Sequence, residues 1–483
     1  MMKIDITLDQ LPEHILEEIF SFISDKDDLR IVCKTFKDII DNFAKLMKDR
    51  WLIIDNVLDV DSSTIHHQYQ KIVVYNIGSK GIKWISNYPY KNRIKAIKIR
   101  CCEDDLVISA HYIQYILSNF NELKMLYFMT CESCKLHESS FDEIKLIPNQ
   151  LSNLESLHIK YYSDHPNNIL EMFSDIPTIK NIIIDGFEVL KFPSKVEWQL
   201  EQLIIPYSFD QEIDDDNFKS FLESQQSTLK KLIFPDSLNY TFFVMRNLSN
   251  LDNLTLSIEC YHQENDSFLI GNSQLQRLNI VDTVNPYVLE KFLNHYKNIK
   301  YLSITSKCQS SDFNFNPSLN LNLKNLTHLL LKGTDCFPFL NFDLLNIKVL
   351  VLTFSDDEIY YGFSQFSSEN LQNVEKLSLR FQKVKEVLPV LSKCSKLTEL
   401  NLQIEEWNKV KNKTIISNIN VILSVVPNVK YLGICSSLNQ NLGSEEMLDE
   451  INSKGVTLTI CNDFRSWIAE DWGTENVKYM DLF

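Results

Sequence analysis

A repeated apolar motif constrains the fold of this 483-residue chain more than any other feature. It reads apolar residue, two variable residues, apolar residue, one variable residue, apolar residue. Fourteen copies begin at intervals of 21 to 32 residues, with a mean of about 26. Such a period is typical of solenoids, so chain length does not indicate the number of globular domains. The copies are Ile94-Ile97-Ile99, Leu123-Leu126-Phe128, Leu154-Leu157-Ile159, Ile179-Ile182-Ile184, Leu200-Leu203-Ile205, Leu229-Leu232-Phe234, Leu251-Leu254-Leu256, Leu275-Leu278-Ile280, Ile299-Leu302-Ile304, Leu326-Leu329-Leu331, Ile347-Leu350-Leu352, Val374-Leu377-Leu379, Leu397-Leu400-Leu402 and Val429-Leu432-Ile434.

Each copy predicts one strand-and-helix coil. The alternating apolar residues at the end of the motif indicate a short strand with one buried face. Between the strands, apolar residues at three- and four-residue intervals predict helices, in residues 111–120, 214–226, 285–296 and 387–394. One coil cannot bury its own apolar face, so neighbouring coils must stack. Two degenerate copies, Tyr69-Ile72-Val74 and Gly455-Leu458-Ile460, extend the predicted solenoid over residues 69–460.

This pattern resembles the leucine-rich-repeat family, in its longer, cysteine-containing type. In that type a cysteine or small polar residue occupies the ninth motif position. This chain has eight such residues there: Cys102, Cys131, Ser208, Ser237, Thr283, Thr334, Ser355 and Ser437. The resemblance implies an α/β horseshoe of about 15 coils, with parallel strands inside and helices outside.

The residues before the repeats have a different pattern. Asp9 is a suitable N-cap for a helix that begins near Leu11-Pro12. The apolar face of this helix comprises Ile15, Leu16, Ile19, Phe20 and Ile23. After an acidic turn, a second amphipathic helix is predicted from Leu29, Val32, Cys33, Phe36, Ile39 and Ile40, and Trp51 closes the segment. About fifty residues in short helices are marginal as an independent fold, so a partner or the adjoining repeats would complete them.

This N-terminal segment resembles an F-box. The matching residues are Leu11-Pro12, Ile15-Leu16, Ile19-Phe20, Asp28-Leu29, Val32-Cys33-Lys34, Phe36 and Trp51. Between Asp28 and Val32 the chain is about one helical turn shorter than is usual in that family. The resemblance implies docking on a Skp-type adaptor of a cullin–RING (SCF-type) ubiquitin ligase. Its implied contacts are Leu11, Pro12, Ile15, Leu16, Ile19 and Phe20.

An F-box followed by leucine-rich repeats implies a substrate receptor, in which the solenoid binds the protein to be ubiquitinated. The alternative is a non-catalytic repeat scaffold whose N-terminal helices only cap the solenoid. We therefore expect an F-box-like module at residues 8–51, a connector at 52–68, the solenoid at 69–460 and a C-terminal cap or tail at 461–483. This tail holds Trp467, Trp472 and Phe483, and it could instead cover the concave face.

The middle variable residue of each motif is expected on the concave surface, where solenoids usually bind their partners. Apolar residues occupy this position in three consecutive copies and again in two consecutive later copies. Exposed contiguous apolar residues mark interaction sites. The predicted substrate-binding residues are therefore Ile183, Ile204, Ile233, Leu330 and Val351. Alternatively a helix, a loop or the tail covers them, or the register is shifted by one residue.

The sequence indicates no catalytic chemistry. Cys131, Cys134 and His137, with Cys101-Cys102 one repeat earlier, have a spacing that zinc could use. The ninth-position pattern already accounts for Cys102 and Cys131, so structural thiols are the favoured interpretation. A nucleophile motif, a P-loop and a dinucleotide fingerprint are all missing from the sequence. We expect a protein that is not an enzyme and that needs neither a cofactor nor a metal.

Charge and cysteine usage restrict the partners and the compartment. The net charge of −16 disfavours a nucleic-acid surface, which is normally basic. No apolar run approaches the roughly 18–20 residues of a membrane span, and acidic residues interrupt the N-terminus where a signal peptide would be apolar. Eleven cysteines without framework spacing fit a reducing compartment. The expected partners are therefore proteins, and the expected location is the cytosol or the nucleus.

Overall fold

The chain forms two compact units, Met1–Thr228 and Leu229–Phe483, each built around a parallel β-sheet. The structure is a computed structural model. It describes residues 51–54, 69–75, 87–89, 91–101, 117–130, 151–163, 169–187, 189–190, 192–205, 212–213, 215–234, 244, 247–257, 274–281, 295–305, 324–332, 346–353, 371–381, 383–404, 407, 412–435 and 445–461.

In the first unit, neighbouring strands pair side by side in one parallel sheet. The parallel sheet contains β1 (Trp51–Ile54), β2 (Lys71–Tyr75), β3 (Ala96–Cys101), β4 (Met125–Thr130), β5 (Ser156–Ser163), β6 (Asn181–Phe187) and β8 (Gln202–Ile204). Each of the strands β1 to β5 pairs with the next strand in sequence, and β6 pairs with β8. Two short strands, β7 (Val189–Leu190) and β9 (Glu212–Ile213), form a separate parallel pair. The first strand was not predicted, and it lies in the segment that the sequence analysis divided between the N-terminal module and the connector.

The second unit repeats the same arrangement over ten described strands. They are β10 (Lys231–Phe234), β11 (Asn253–Ser257), β12 (Arg277–Val281), β13 (Tyr301–Thr305), β14 (His328–Lys332), β15 (Val349–Thr353), β16 (Lys376–Phe381), β17 (Glu399–Ile404), β18 (Tyr431–Cys435) and β19 (Thr457–Cys461). Each pairs in parallel with the next. The degenerate motif copies at both ends of the repeat array are strands, as predicted.

The apolar residues of the motif form the core of both units. Every apolar residue of the fourteen copies is at most 4% exposed. The strand register places like positions side by side: Leu278 pairs with Leu302, and Leu302 pairs with Leu329. Each coil thus buries its apolar face against its neighbours, which confirms the predicted leucine-rich-repeat fold.

Backbone hydrogen bonds join each coil to the next at a fixed motif position. The carbonyl of Lys95 accepts hydrogen bonds from the N–H groups of Lys124 (2.8 Å) and Met125 (2.9 Å). In the second unit, the carbonyl of Lys348 accepts from Glu375 (2.8 Å) and Lys376 (3.0 Å) in the same way. One carbonyl therefore serves two donors and sets the register at the start of each strand.

Asparagine side chains add a second link between coils. Asn153 directly precedes a motif, and its Nδ2 donates to the carbonyl of Asn121 in the preceding coil (3.0 Å). The Nδ2 of Asn428 donates to the carbonyl of Ser395 in the same way (3.0 Å). An Asn before the first apolar residue is thus a structural part of some repeats.

The described helices are few. They are α1 (Asp215–Ser224), α2 (Val384–Leu391), α3 (Asn412–Val425) and α4 (Glu445–Asn452), with short 3-10 helices at Lys91–Arg93 and Ile169–Phe173. Helices α1 and α2 confirm predicted helices. The helices predicted at residues 111–120 and 285–296 lie mostly outside the described residues. Among the helices that the structure describes, none is long and apolar enough to cross a membrane.

Sequence accounts for the position of two of these helices. The sequence begins α1 with two aspartates, which are typical of helix starts. Within α1, Phe221 packs on Phe192 with ring centroids 4.6 Å apart. At the start of α2, the Glu386 side chain accepts a hydrogen bond from the Lys383 N–H (3.2 Å). This contact caps an otherwise unpaired donor.

The side-by-side packing of motif leucines predicts a large loss of stability when one of these side chains is truncated. Leu302→Ala should lower the free energy of unfolding by about 2–5 kcal/mol, because Leu302 is fully buried between two leucines. The matched control is Val421→Ala. Val421 is 45% exposed on α3, so this substitution should change the free energy of unfolding by less than about 0.5 kcal/mol. Urea unfolding of the full chain, monitored by circular dichroism, measures the effect of each substitution. Equal effects would contradict the packing of Leu302 between neighbouring leucines.

Candidate functional site on the variable face of the strands

Parallel pairing aligns the middle variable residues of the motifs into rows. In the first unit Lys98 pairs with Tyr127, Tyr127 with His158, and His158 with Ile183. Successive side chains of a strand project to opposite faces, so these residues lie on the face opposite the buried motif residues. We call this face of each sheet the variable face, and the line of middle variable residues the middle row.

The middle row of the first unit is partly open on four successive strands, β3 to β6. Lys98, Tyr127, His158 and Ile183 are all half-buried. The rings of Tyr127 and His158 have centroids 5.3 Å apart, and the Lys98 Nζ lies 5.9 Å from the centroid of the Tyr127 ring. Burial raises the pKa of the Tyr127 phenol above its ordinary value, so the hydroxyl stays protonated. The row presents an aromatic surface beside a cation.

Side chains on either side of the middle row widen this surface. Met125 and Met129 flank Tyr127 on β4, and both are half-buried. Methionine side chains are flexible and polarizable, and they adapt to apolar partners of different shapes. One edge carries an ion pair, in which the Lys160 Nζ lies 2.9 Å from the Asp185 Oδ2.

The middle row of the second unit is closed instead. Its polar members pair along the row: Asn279 Nδ2 donates to Thr255 Oγ1 (2.9 Å), and Asn401 Nδ2 donates to Ser378 Oγ (3.2 Å). These contacts give the two buried amide Nδ2 groups an acceptor. The residues of this row that are at most 3% exposed include Thr255, Asn279, Ser303, Leu330, Val351, Ser378 and Asn401. This row contributes to packing.

The five predicted substrate-binding residues therefore differ in accessibility. Ile183 is half-buried and lies in the open row. Ile204 and Ile233 are 0% exposed, and Leu330 and Val351 are 1% exposed. Their role in substrate binding stays a prediction, and Ile183 is the one of the five with an accessible side chain.

The position just before the second apolar residue of the motif forms another row, which the sequence analysis did not consider. In the second unit three successive copies place Arg277, Tyr301 and His328 there. The Arg277 guanidinium carbon lies 4.3 Å from the Tyr301 ring centroid, and the Tyr301 and His328 rings stack with centroids 4.2 Å apart. The Thr327 Oγ1 lies 2.8 Å from the His328 Nδ1. The sequence signal was available, since the three residues share one motif position.

Other predicted sites lie outside the described residues. This holds for the six adaptor-contact residues Leu11, Pro12, Ile15, Leu16, Ile19 and Phe20, for the eight ninth-position residues, and for Cys134, His137 and the tail after residue 461. Within the ranges that the structure describes, no group of three or more His, Cys, Asp or Glu side chains could hold a metal ion.

Comparisons with known proteins identify the N-terminal segment. Residues 8–48 match the family model of the F-box domain. A search of curated proteins found no match. Among solved structures, the TLR13–ssRNA13 complex is 13% identical, with a TM-score of 0.39, over 86% of this chain and 65% of that chain. A leucine-rich-repeat protein of Leptospira interrogans is 13% identical, with a TM-score of 0.33, over 83% of this chain and 88% of that chain.

The chain thus spans about two thirds of the length of the first of these structures. The F-box match confirms the resemblance found in the sequence. An F-box domain and a leucine-rich-repeat fold in one chain support a protein-interaction adaptor.

Substitution of two isoleucines tests the difference in accessibility. Ile204→Asp would bury a carboxylate, at a cost of several kcal/mol, and should lower the unfolding midpoint sharply. Ile183→Asp should change stability by about 1 kcal/mol or less, because the half-buried position lets the carboxylate keep water. Thermal unfolding of both full-length variants gives the comparison. Equal destabilisation would show that the row is not open at Ile183.

Proposed function

We propose that this chain is the substrate-recognition subunit of an SCF-type cullin–RING ubiquitin ligase. The observation that carries the proposal is an F-box domain at residues 8–48 in the same chain as stacked leucine-rich repeats. The F-box docks the Skp-type adaptor, and the variable face binds the protein to be ubiquitinated. Such a receptor works in the cytosol or the nucleus.

The proposed adaptor contact is an apolar helix face. Leu11, Ile15 and Ile19 are four residues apart, which places them on one side of the helix predicted from the sequence, and Pro12, Leu16 and Phe20 repeat the spacing one residue later. Buried apolar and aromatic side chains supply most of the free energy of such interfaces. These six residues are therefore the proposed anchors in the adaptor.

A short link joins the F-box to the repeats. The matched segment ends at residue 48, and β1 begins at Trp51 and pairs with β2. Three residues of fully extended chain span at most about 11 Å. The end of the F-box thus stays close to the first coil, and a partner on the first unit is held at a limited distance from the adaptor.

In the proposed mechanism the chain positions the substrate next to the ligase. A receptor that binds adaptor and substrate at once raises the effective concentration of substrate lysines at the ligase, and makes their encounter intramolecular. The atoms that react in ubiquitin transfer belong to other subunits and to the substrate. In this proposal the chain contributes binding and orientation.

Purified components test the adaptor contact. The full chain should bind a purified Skp-type adaptor, and Phe20→Ala should weaken binding by roughly 30-fold, the loss expected for a buried aromatic anchor worth about 2 kcal/mol. Leu11→Ala/Pro12→Ala should act in the same direction. The control is Lys124→Ala, which removes only an exposed ion pair with Glu155 and should leave binding unchanged. Isothermal titration calorimetry measures each affinity.

The alternative, a scaffold whose N-terminal helices cap the repeats, gives the opposite pattern. A folded wild-type chain would not bind the adaptor. Leu11→Ala/Pro12→Ala would instead lower the unfolding midpoint of the chain, because the same apolar face would be packed on the repeats.

A further inference from the structure

The first unit contains an accessible cluster, which we call the Met-Tyr patch. It consists of Lys98, Met125, Tyr127, Met129, His158 and Ile183, on the variable face of β3 to β6. Each of these side chains is half-buried. Tyr127 lies at the centre, with the Lys98 Nζ over its ring, the His158 ring at 5.3 Å and a methionine on either side along β4.

The two middle-row residues that flank these four strands are closed. Val73 on β2 is 7% exposed and Ile204 on β8 is 0% exposed. In the second unit the middle row is buried on each strand from β10 to β18. The four open positions are therefore a local feature of β3 to β6, and three of them carry large polar or aromatic side chains that can reach a partner.

The charge of this region is opposite to that of the chain. Lys98 on β3 and Lys160 on β5 lie on the variable face, and the described side chains of that face on β3 to β5 include no Asp or Glu. Asp185, on β6, is paired with Lys160. The whole chain carries a net charge of −16. A locally basic face on an acidic chain attracts acidic partners and disfavours basic ones.

From this juxtaposition we infer that the Met-Tyr patch binds a short segment of a partner protein in which a large apolar side chain is flanked by Asp or Glu. The apolar side chain contacts Tyr127, Ile183 and the two methionines. The neighbouring carboxylates lie toward Lys98 on β3. The inference rests on the proposed function for the identity of the partner, which is the substrate that the receptor recruits. Binding of the segment itself does not require the adaptor.

Selection from a random dodecapeptide display library, with the full chain as bait, tests the inference. The expected peptides share a large apolar residue next to Asp or Glu. Their affinity should fall roughly tenfold or more with Tyr127→Ala and with Lys98→Glu. The control is Val421→Ala, an exposed side chain on α3 of the second unit, which should leave affinity unchanged.

A charge exchange separates recognition from misfolding. A selected peptide in which Lys replaces the flanking acidic residue should bind Lys98→Glu better than it binds the wild type, which an unfolded variant cannot do. The inference is overturned if no peptide is enriched, if the enriched peptides lack the acidic–apolar pattern, or if neither variant weakens them. Adaptor affinity of the same variants should stay at the wild-type value, so failure here is distinct from failure of the F-box to bind.

Discussion

One carbonyl group per coil, which accepts hydrogen bonds from two N–H groups of the next coil, sets the register on which the rest of the structure depends. Among the described residues the contact recurs from Gln70 in the first unit to Thr398 in the second. Because it fixes where each strand begins, the apolar residues of neighbouring motifs meet side by side. A shift of one residue would expose a coil's core residues and bury its variable ones.

The same register decides what the variable face can do. It collects one residue from each coil into a row, so side chains distant in sequence act together. In the second unit the middle row holds small polar and aliphatic residues, which pack or bond to each other, as Asn279 does to Thr255. In the first unit it holds Lys98, Tyr127 and His158, which remain partly accessible. One fold thus gives a closed row in the second unit and a partly open row in the first.

Much of the fold could be predicted because its signal is periodic. The motif located a strand in each of its copies, and apolar spacing predicted helices at 214–226 and 387–394, which overlap the observed helices at 215–224 and 384–391. Strand β1 was not predicted, because Trp51–Ile54 was interpreted as the end of the helical module and the start of a connector. The apolar pattern there consists of Leu52 and Ile54, and it was not recognised as a copy of the motif.

The candidate site was harder to predict, for a physical reason. Motif position shows which face a residue lies on, but its exposure depends on neighbouring rows and on what packs above it. Ile183 and Ile204 are equivalent in the motif, yet one is half-buried and the other is fully buried. The stack of Arg277, Tyr301 and His328 could have been found, since it needs only the comparison of a second position across consecutive copies.

The central claim is that one end of the chain binds the adaptor while the variable face of the first unit stays available for a partner. Hydroxyl-radical footprinting of the full chain, with and without a purified Skp-type adaptor, tests it most directly, because methionine, tyrosine and phenylalanine side chains all react. We expect the adaptor to protect Phe20 and its apolar neighbours and to leave Met125, Tyr127 and Met129 as reactive as before. Unchanged reactivity at Phe20, or protection of Tyr127 by the adaptor, would contradict it.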